Sequence, residues 1–481
     1  MIAKIHNAEI SGEIHAPPSK SHTIRAVLIA ALAEGSSIIE NCLNSDDTQA
    51  CIRAVSILGA EVDFLNADAG GAGVGGVDVG GEPASDMRAR ENVKLRVRGI
   101  GSRRGDDGIF HLMPENVIDV GNSGTTLFLL AGIAALSRNY LVLTGDNQIR
   151  RRSAEKLLSA LRCLGADAFS TRENGCAPLI IRGPLSGGKI ELECPVSQYL
   201  SSLMLACPLM PAGSAADIHI TLLNERPYAE MTERWLQFQG IEFKNDNWER
   251  IRIPGGQSYR AFQRAIPGDF SGATFFACAA ALSGGRLTLR GLDMSDSQGD
   301  KAVFSILEKM GCSVNYRQDS ITIAAPSASS QDASRDSSVL SSDSAAASRD
   351  SAAALRDSAV LSNDSAFPHS PGLRGGTFDL NEIPDALPAL AITAAFAGSE
   401  TRLVNVPQAR MKETDRIQCM AAELSKMGVP VQELRDGLII RPGQKAGQRY
   451  GRGAGRGAGR GRGQVREAGG TAELPRGAEL D

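Results

Sequence analysis

The sequence predicts an α/β fold made by repeating one helix–strand unit, and three observations carry that prediction. Five times an amphipathic helical pattern runs into a glycine and then a short strand: AVSILGAEV at Gly59, SALRCLGADA at Gly165, WLQFQGIEF at Gly240, ILEKMGCSV at Gly311 and ELSKMGVPV at Gly428. A glycine just past the last apolar-periodic residue takes the left-handed conformation that ends a helix, and the alternating or β-branched residues behind it read as a strand. Upstream of each copy lies a second, more apolar helix that continues into a β-rich run. The composition agrees: 42% hydrophobic but only 5% aromatic, with 52 glycines, suits Ala/Leu/Gly-packed layers better than an aromatic β-sandwich.

Taken in order, the apolar helices are SKSHTIRAVLIAALAEG from Ser19, SGTTLFLLAGIAAL from Ser123, SQYLSSLMLACPL from Ser197, SGATFFACAAAL from Ser271 and PDALPALAITAAFAG from Pro384. They run into SSIIENC, NYLVLTG, DIHITLL, RLTLRGL and ETRLVNV. A small polar or acidic residue at each start is a helix N-cap signal. One copy spans about 45 to 50 residues, and such copies bury their apolar faces by stacking on one another.

A length of 481 residues predicts two large domains and excludes a peptide hormone or a single binding module. The 51 Lys and Arg against 55 Asp and Glu leave a formal charge of −4, so no global basic field points to nucleic acid or a membrane surface, and any anion site must be local. Nine scattered cysteines without a CxxC pair fit reduced thiols rather than a disulfide framework or zinc site. The start has no signal-peptide or transit-peptide character, and no unbroken apolar run reaches the roughly 18 residues of a membrane span. A cytoplasmic protein is expected.

Three segments stand outside the repeat: residues 66–110, which begin Gly-rich; residues 326–376, rich in Ser, Ala and Asp with RDS recurring; and the Gly/Arg-rich tail 443–481. All are too poor in large apolar residues to offset the entropy of ordering them, so disorder is expected. Composition alone favours a disordered tail over an RNA-binding one.

Polar residues concentrate at the starts of the apolar helices, where free backbone N–H groups and the helix dipole stabilise anions. Lys20, Ser21, His22 and Arg25 surround the first such start. Arg150, Arg151 and Arg152 follow a strand, where adjacent cations repel unless solvated or paired with an anion. In Met411-Lys412-Glu413-Thr414-Asp415-Arg416, helical spacing would put Lys412 and Arg416 on one face with Glu413 beside them. N-caps, a solvated surface and an i,i+4 charge ladder are the plain alternatives. Recurrence at matching points of the units favours convergence on one small polyanion.

PPSKSHTIRAVLIAALAEG, GNSGTT (Gly121 to Thr126), SQYLSSLMLA, GDFSGATFF, NEIPDALPALA and MKETDRI resemble, in that order, the motifs of the 3-phosphoshikimate carboxyvinyltransferases, or EPSP synthases. The resemblance covers most of residues 1–440 outside the inserts. It implies an enolpyruvate transferase fold of repeated βαβαββ units, three per domain, with substrates in the cleft. One domain would run over residues 21–250; the other would combine 1–20 with 251–442. The implied reaction passes the enolpyruvyl group of phosphoenolpyruvate to the 5-hydroxyl of shikimate 3-phosphate and releases phosphate, without metal or organic cofactor. The expected partners are those two substrates, with no nucleic acid and no membrane, and the expected state is a monomer.

Carried over position by position, Lys20 and Glu413 resemble the acid/base pair and Asp385 the acceptor of the hydroxyl proton. Lys20, Gly124, Arg152, Gln198 and Arg416 resemble the phosphoenolpyruvate set. Lys20, Ser21, Arg25, Ser197, Gln198, Asp385 and Lys412 resemble the shikimate 3-phosphate set. Four positions depart from the family pattern: Val196 stands for a phosphate-binding serine, Glu225 for a phosphate-binding serine, Phe128 for an arginine after NSGTT, and Ser153 for a proline after Arg152. The family's sixth unit, opened by an Asp-His-Arg motif, has no counterpart in these residues. Five of six units are therefore expected, and with them a chain of little activity on its own. The rival readings are a non-catalytic remnant and UDP-N-acetylglucosamine 1-carboxyvinyltransferase; the latter normally has an asparagine where this chain has Ser21 and a cysteine in a Gly-rich loop.

Overall fold

The computed structural model describes residues 9–65, 92–103, 116–326 and 372–442. The chain runs β1 (Gly12–His15), α1 (Lys20–Leu32), β2 (Ser36–Leu43), α2 (Asp46–Ile57), β3 (Glu61–Leu65) and β4 (Asn92–Arg98). The same order returns in β5 (Val117–Asp119), α3 (Gly124–Ala134), β6 (Leu141–Thr144), α4 (Glu155–Cys163), β7 (Asp167–Ser170) and β8 (Leu179–Arg182). It returns again in β9 (Gly188–Cys194), α5 (Gln198–Ala206), β10 (Ala215–Leu223), α6 (Arg226–Gln239), β11 (Lys244–Asp246) and β12 (Arg250–Pro254). The fourth copy is β13 (Gln263–Ala265), α7 (Phe270–Ser283), β14 (Arg286–Arg290), α8 (Ala302–Lys309), β15 (Ser313–Tyr316) and β16 (Ser320–Ala324). The fifth is β17 (Thr377–Asp379), α9 (Leu387–Ala395), β18 (Thr401–Val404), α10 (Arg416–Lys426), β19 (Val431–Leu434) and β20 (Gly437–Ile440).

Among the described residues these strands form five four-stranded sheets with one shared order: first strand, second, fourth, third. In β5-β6-β8-β7, β9-β10-β12-β11 and β17-β18-β20-β19, all four strands come from one copy. The first and fourth copies exchange their opening strands. β1 pairs in parallel with β14, with Gly12 opposite Leu287, while β13 pairs in parallel with β2, with Gln263 opposite Ile38. Buried apolar side chains fall into two clusters, Ile24 to Ile266 and Phe270 to Ile440, so the chain passes from one to the other at the short link between β13 and α7.

The expected glycine caps all form: Gly59, Gly165, Gly240, Gly311 and Gly428 have φ of 100°, 101°, 71°, 107° and 81°, a region a β-carbon disfavours. The leading helices α1 and α3 are buried on nearly every side, which explains their weak amphipathicity; α2 and α4 bury one face.

Four expectations are corrected. Residues 92–103, placed within a disordered insert, contain β4, whose Val93, Leu95 and Val97 turn to the core while Lys94 and Arg96 turn out; this alternation is a strand signal hidden by the glycines upstream. Residues 263–265, assigned with the second domain, complete the first sheet instead. The fourth leading helix is capped by Asp269, which accepts the Gly272 N–H, so Ser271 lies inside α7. Pro384 opens a 3-10 turn, Pro384–Ala386, and α9 starts at Leu387. Residues 66–91, 104–115, 327–371 and 443–481, where the remaining insert and tail expectations fall, lie outside the described residues.

Candidate active site

The leading helices α1, α3 and α5 bring their N-termini to one cavity. It is lined by Lys20 and Ser21 of α1, Asp47 of α2, Gly124 and Thr125 of α3, Gln198 of α5, Tyr228 of α6 and Arg416 of α10, together with Arg152, Asp385, Lys412 and Glu413 from the connecting turns. Six helix starts and four cations facing one space give it a strongly anion-attracting field.

Each side chain is held from behind. Asp146 accepts the N–H groups of Gln148 and Ile149, forming the turn that delivers Arg152. The Arg152 guanidinium is only 7% exposed, lies over the Phe128 ring at 5.3 Å and stands 3.6 Å from Glu413 Oε1. Phe128, a departure from the family pattern, thus serves as its platform. Arg150 turns away and donates to the Gly145 carbonyl at 2.7 Å. A Cβ on Gly124 would lie 2.0 Å from Arg152 Nη1, so only glycine leaves that guanidinium where it is.

Asp385 is gripped by Arg416, whose Nη1 donates to Oδ1 at 2.5 Å, and by the Tyr228 hydroxyl at 3.1 Å from Oδ2. Burial alone would raise the Asp385 carboxyl, but the charges of Arg416, Lys412 and Lys20 outweigh it and hold the group far below the usual carboxylate range. Arg416 also donates to Glu413 Oε2 at 2.9 Å. Burial opposes ionisation of Glu413 too, and Arg416 with Arg152 again wins, so its carboxyl is depressed. Lys20, at the first turn of α1, has its Nζ 3.8 Å from Asp47 Oδ2 and is 41% exposed, leaving the ammonium free to reach a ligand. The start of α1 is fixed by His22, which accepts from Trp235 Nε1 at 3.0 Å and meets Asp296 at 3.3 Å.

Of the residues expected from the sequence, Lys20, Ser21, Gly124, Arg152, Gln198, Asp385, Lys412, Glu413 and Arg416 meet at this cavity. Arg25 does not. It is 1% exposed, and its guanidinium donates to Thr232 Oγ1, the carbonyls of Ser21 and Tyr228, and Ser201 Oγ; it ties α1 to α6 from within the core. Ser197 is buried and donates to Glu225 Oε2 at 3.3 Å rather than capping α5. Lys412 and Arg416 do not share a helix face: Asp415 caps α10 by accepting the Gln418 N–H, so Lys412 and Glu413 lie in the turn before it. Lys412 donates to Glu225 Oε1, both side chains being almost wholly buried. Asp47, Thr125 and Tyr228 were missed in the sequence; Tyr228 carried a signal, since it follows Arg226-Pro227 at the start of a helix.

These units and this cavity define an enolpyruvate transferase class of fold and site. The EPSP synthase (3-phosphoshikimate 1-carboxyvinyltransferase) family model matches residues 5–77, 93–336 and 354–452. The 3-phosphoshikimate 1-carboxyvinyltransferase of Ruminiclostridium cellulolyticum is 41% identical over 441 residues, covering 92% of this chain and 86% of its own; that of Methanothrix thermoacetophila is 38% identical with the same two coverages. The fold is shared with an EPSP synthase from Acinetobacter baumannii at a TM-score of 0.63 and 24% identity, over 92% of this chain and 84% of that one. The chain belongs to the EPSP synthase family, a family of transferases.

Proposed function

We propose that this chain transfers the enolpyruvyl group of phosphoenolpyruvate to the 5-hydroxyl of shikimate 3-phosphate, forming 5-enolpyruvylshikimate 3-phosphate and phosphate. One observation carries this reading. Four cations and two depressed carboxylates share a cavity in which Arg152 Nε and Gln198 Oε1 are buried without a protein partner, and buried polar atoms require one. A carboxylate and a phosphate, both present on phosphoenolpyruvate, match two guanidinium forks.

The chemistry divides among the residues by charge. Asp385, kept anionic by Arg416, takes the proton of the attacking 5-hydroxyl as its oxygen bonds to C2 of phosphoenolpyruvate. Lys20, an exposed ammonium at the cavity wall, protonates the methylene carbon to give a methyl group. Glu413, also anionic, removes a proton from that methyl as the C2–O bond to phosphate breaks and the vinyl group re-forms. Arg152 and Arg416 hold donor anions throughout. Ser21, Gln198 and Lys412 are assigned to the acceptor; Arg25 and Ser197 shape the wall behind it.

The five-unit count predicts a chain of little activity, but nine of the expected residues meet at one cavity. The purified chain supplied with both substrates should therefore release phosphate and form the enolpyruvyl ether, seen as vinyl proton resonances. Absence of both, together with no calorimetric binding of either substrate, would overturn the reading. Gly124→Ala tests the donor side: its Cβ must displace the end of the flexible Arg152 side chain. The fold should survive, while KM for phosphoenolpyruvate rises by about tenfold or more, the scale of one weakened charged hydrogen bond. An unchanged KM would remove Arg152 from the donor site.

Two apolar clusters support two domains. Nine free cysteines support a cytoplasmic protein, and among the described residues no helix is long and apolar enough to cross a membrane. A monomer is proposed, and light scattering checks it.

A further inference from the structure

Behind Asp385 lies a second carboxyl group that the chemistry above does not use. Asp300 sits in the 3-10 turn Gly299–Lys301 ahead of α8 and is 1% exposed. Its Oδ2 is 3.1 Å from the Tyr228 hydroxyl, and the same hydroxyl is 3.1 Å from Asp385 Oδ2. The Ser271 hydroxyl also donates to Asp300 Oδ2, whereas Oδ1 is buried without a partner. The turn cannot back away: a Cβ on Gly299 would lie 2.6 Å from the Glu382 carbonyl and 2.9 Å from Pro227 Cγ, so this segment is pressed between the Asp385 turn and α6.

Counting protons settles what this geometry requires. A tyrosine hydroxyl has one proton and can donate to one carboxylate only. Two anionic oxygens at hydrogen-bond distance from one hydroxyl would leave one contact repulsive, with Asp300 almost wholly buried. A second proton removes the conflict. Asp385 is not its seat, because Arg416 pairs with it directly. Among the described residues no cation pairs with Asp300, and it keeps a buried, unpartnered oxygen, the environment of a neutral acid.

We propose that Asp300 is a proton-bearing positioning residue: as a carboxylic acid it donates to the Tyr228 oxygen, whose hydroxyl in turn donates to Asp385 Oδ2 and fixes the base for the 5-hydroxyl. The chain Asp300–Tyr228–Asp385 is polarised in one direction and keeps its proton through the reaction cycle. Burial, then the nearby charges of Asp385 and Asp269, pushes the Asp300 carboxyl up to about 7, against the Ser271 and Tyr228 hydroxyls. Burial and the charges of Asp300 and Asp385 hold the Tyr228 hydroxyl well above its ordinary range, with Glu225 adding to the effect, so it stays protonated. Lys20, Lys412 and Arg416 face Asp385. Asp269, itself pushed up to about 6 by burial, faces Asp300. The working form is therefore present below the Asp300 titration and lost as pH rises through it: the ionised Asp300 would claim the Tyr228 proton and leave Asp385 Oδ2 facing a lone pair.

The inference rests on Asp385 being the base, and the test separates the two. Infrared difference spectra of wild type minus Asp300→Asn, without substrate, should show a carboxylic-acid carbonyl band at about pH 6 that fades by about pH 8. Subtraction cancels Asp269. In turnover, Asp300→Asn keeps a donor to Tyr228 and should move the alkaline fall of kcat upward by about one pH unit or more. Asp300→Leu, neutral but without a donor, should have kcat at least about tenfold below Asp300→Asn at about pH 6, with KM values within about threefold. Absence of the band at about pH 6, or equal kcat for the Asn and Leu variants with an unmoved alkaline limb, would overturn the proposal. A wild type that shows the band but no turnover would count against the assigned reaction alone.

Discussion

Asp385→Ala is expected to lower kcat by about 10³-fold, within the usual range for a general base, while KM for phosphoenolpyruvate changes by no more than about threefold. The geometry explains both halves. Oδ1 is occupied by Arg416 and Oδ2 by Tyr228, so the carboxylate is fixed at the cavity wall, and the adjacent cations keep it ionised. Removing it takes away the acceptor for the 5-hydroxyl proton. Arg416 keeps its bond to Glu413 at 2.9 Å, so the donor-facing guanidinium stays in place. Asp385→Asn separates charge from shape: it fills the same volume and still accepts from Arg416, but it cannot take a proton. The two variants should therefore lose similar activity in a phosphate-release assay. A loss under roughly threefold in either would exclude Asp385 as the base.

That Asp385, Glu413, Lys20 and Arg152 belong together was legible in the sequence because each lies in a short local motif, and those motifs resemble, in order, the ones of the family. The caps at Gly59 and Gly428 were legible because a left-handed residue is a local requirement. What stayed hidden was non-local. β13 has three residues, Gln263 to Ala265, and no periodicity; only its pairing with β2 makes it a strand. The exchange of β1 and β13 between the first and fourth sheets likewise depends on contacts across more than 200 residues of chain. Arg25 lies in the core although the sequence grouped it with the ligand set, because a helical arginine near an anion site has the same local pattern whether it faces the ligand or the core. The deciding partners, Thr232 and Tyr228, come from α6. Asp300 carries no local signal, since nothing in the sequence around it places it behind Asp385.

The departure at Glu225 leads to the second large effect: Lys412→Met should destabilise the chain by about 3–5 kcal/mol, the cost of leaving one member of a buried ion pair uncompensated. Glu225 is fully buried, the Lys412 side chain is 5% exposed, and among the described residues the one further donor to the pair is the Ser197 hydroxyl, 3.3 Å from Glu225 Oε2. One neutral hydroxyl cannot replace water around a carboxylate. The backbone adds to the demand, because Glu225 has φ of 56°, a left-handed conformation that a side chain of this kind adopts only when its surroundings impose it. If the cost comes from the stranded charge, a second change that removes the charge should relieve it. Lys412→Met with Glu225→Gln is therefore expected to recover more than about half of the loss in urea unfolding, even though it contains one substitution more. A single variant within about 1 kcal/mol of the parent, or a double variant no more stable than the single one, would show that the pair is solvated in practice. Binding of shikimate 3-phosphate gives the functional half of the same experiment. Glu225 neutralises a lysine assigned to the acceptor phosphate, so the phosphate must either share that ammonium or displace the carboxylate from it. Restored stability with acceptor binding still weakened would mean that Lys412 serves both anions, one as a buried partner and the other as a ligand.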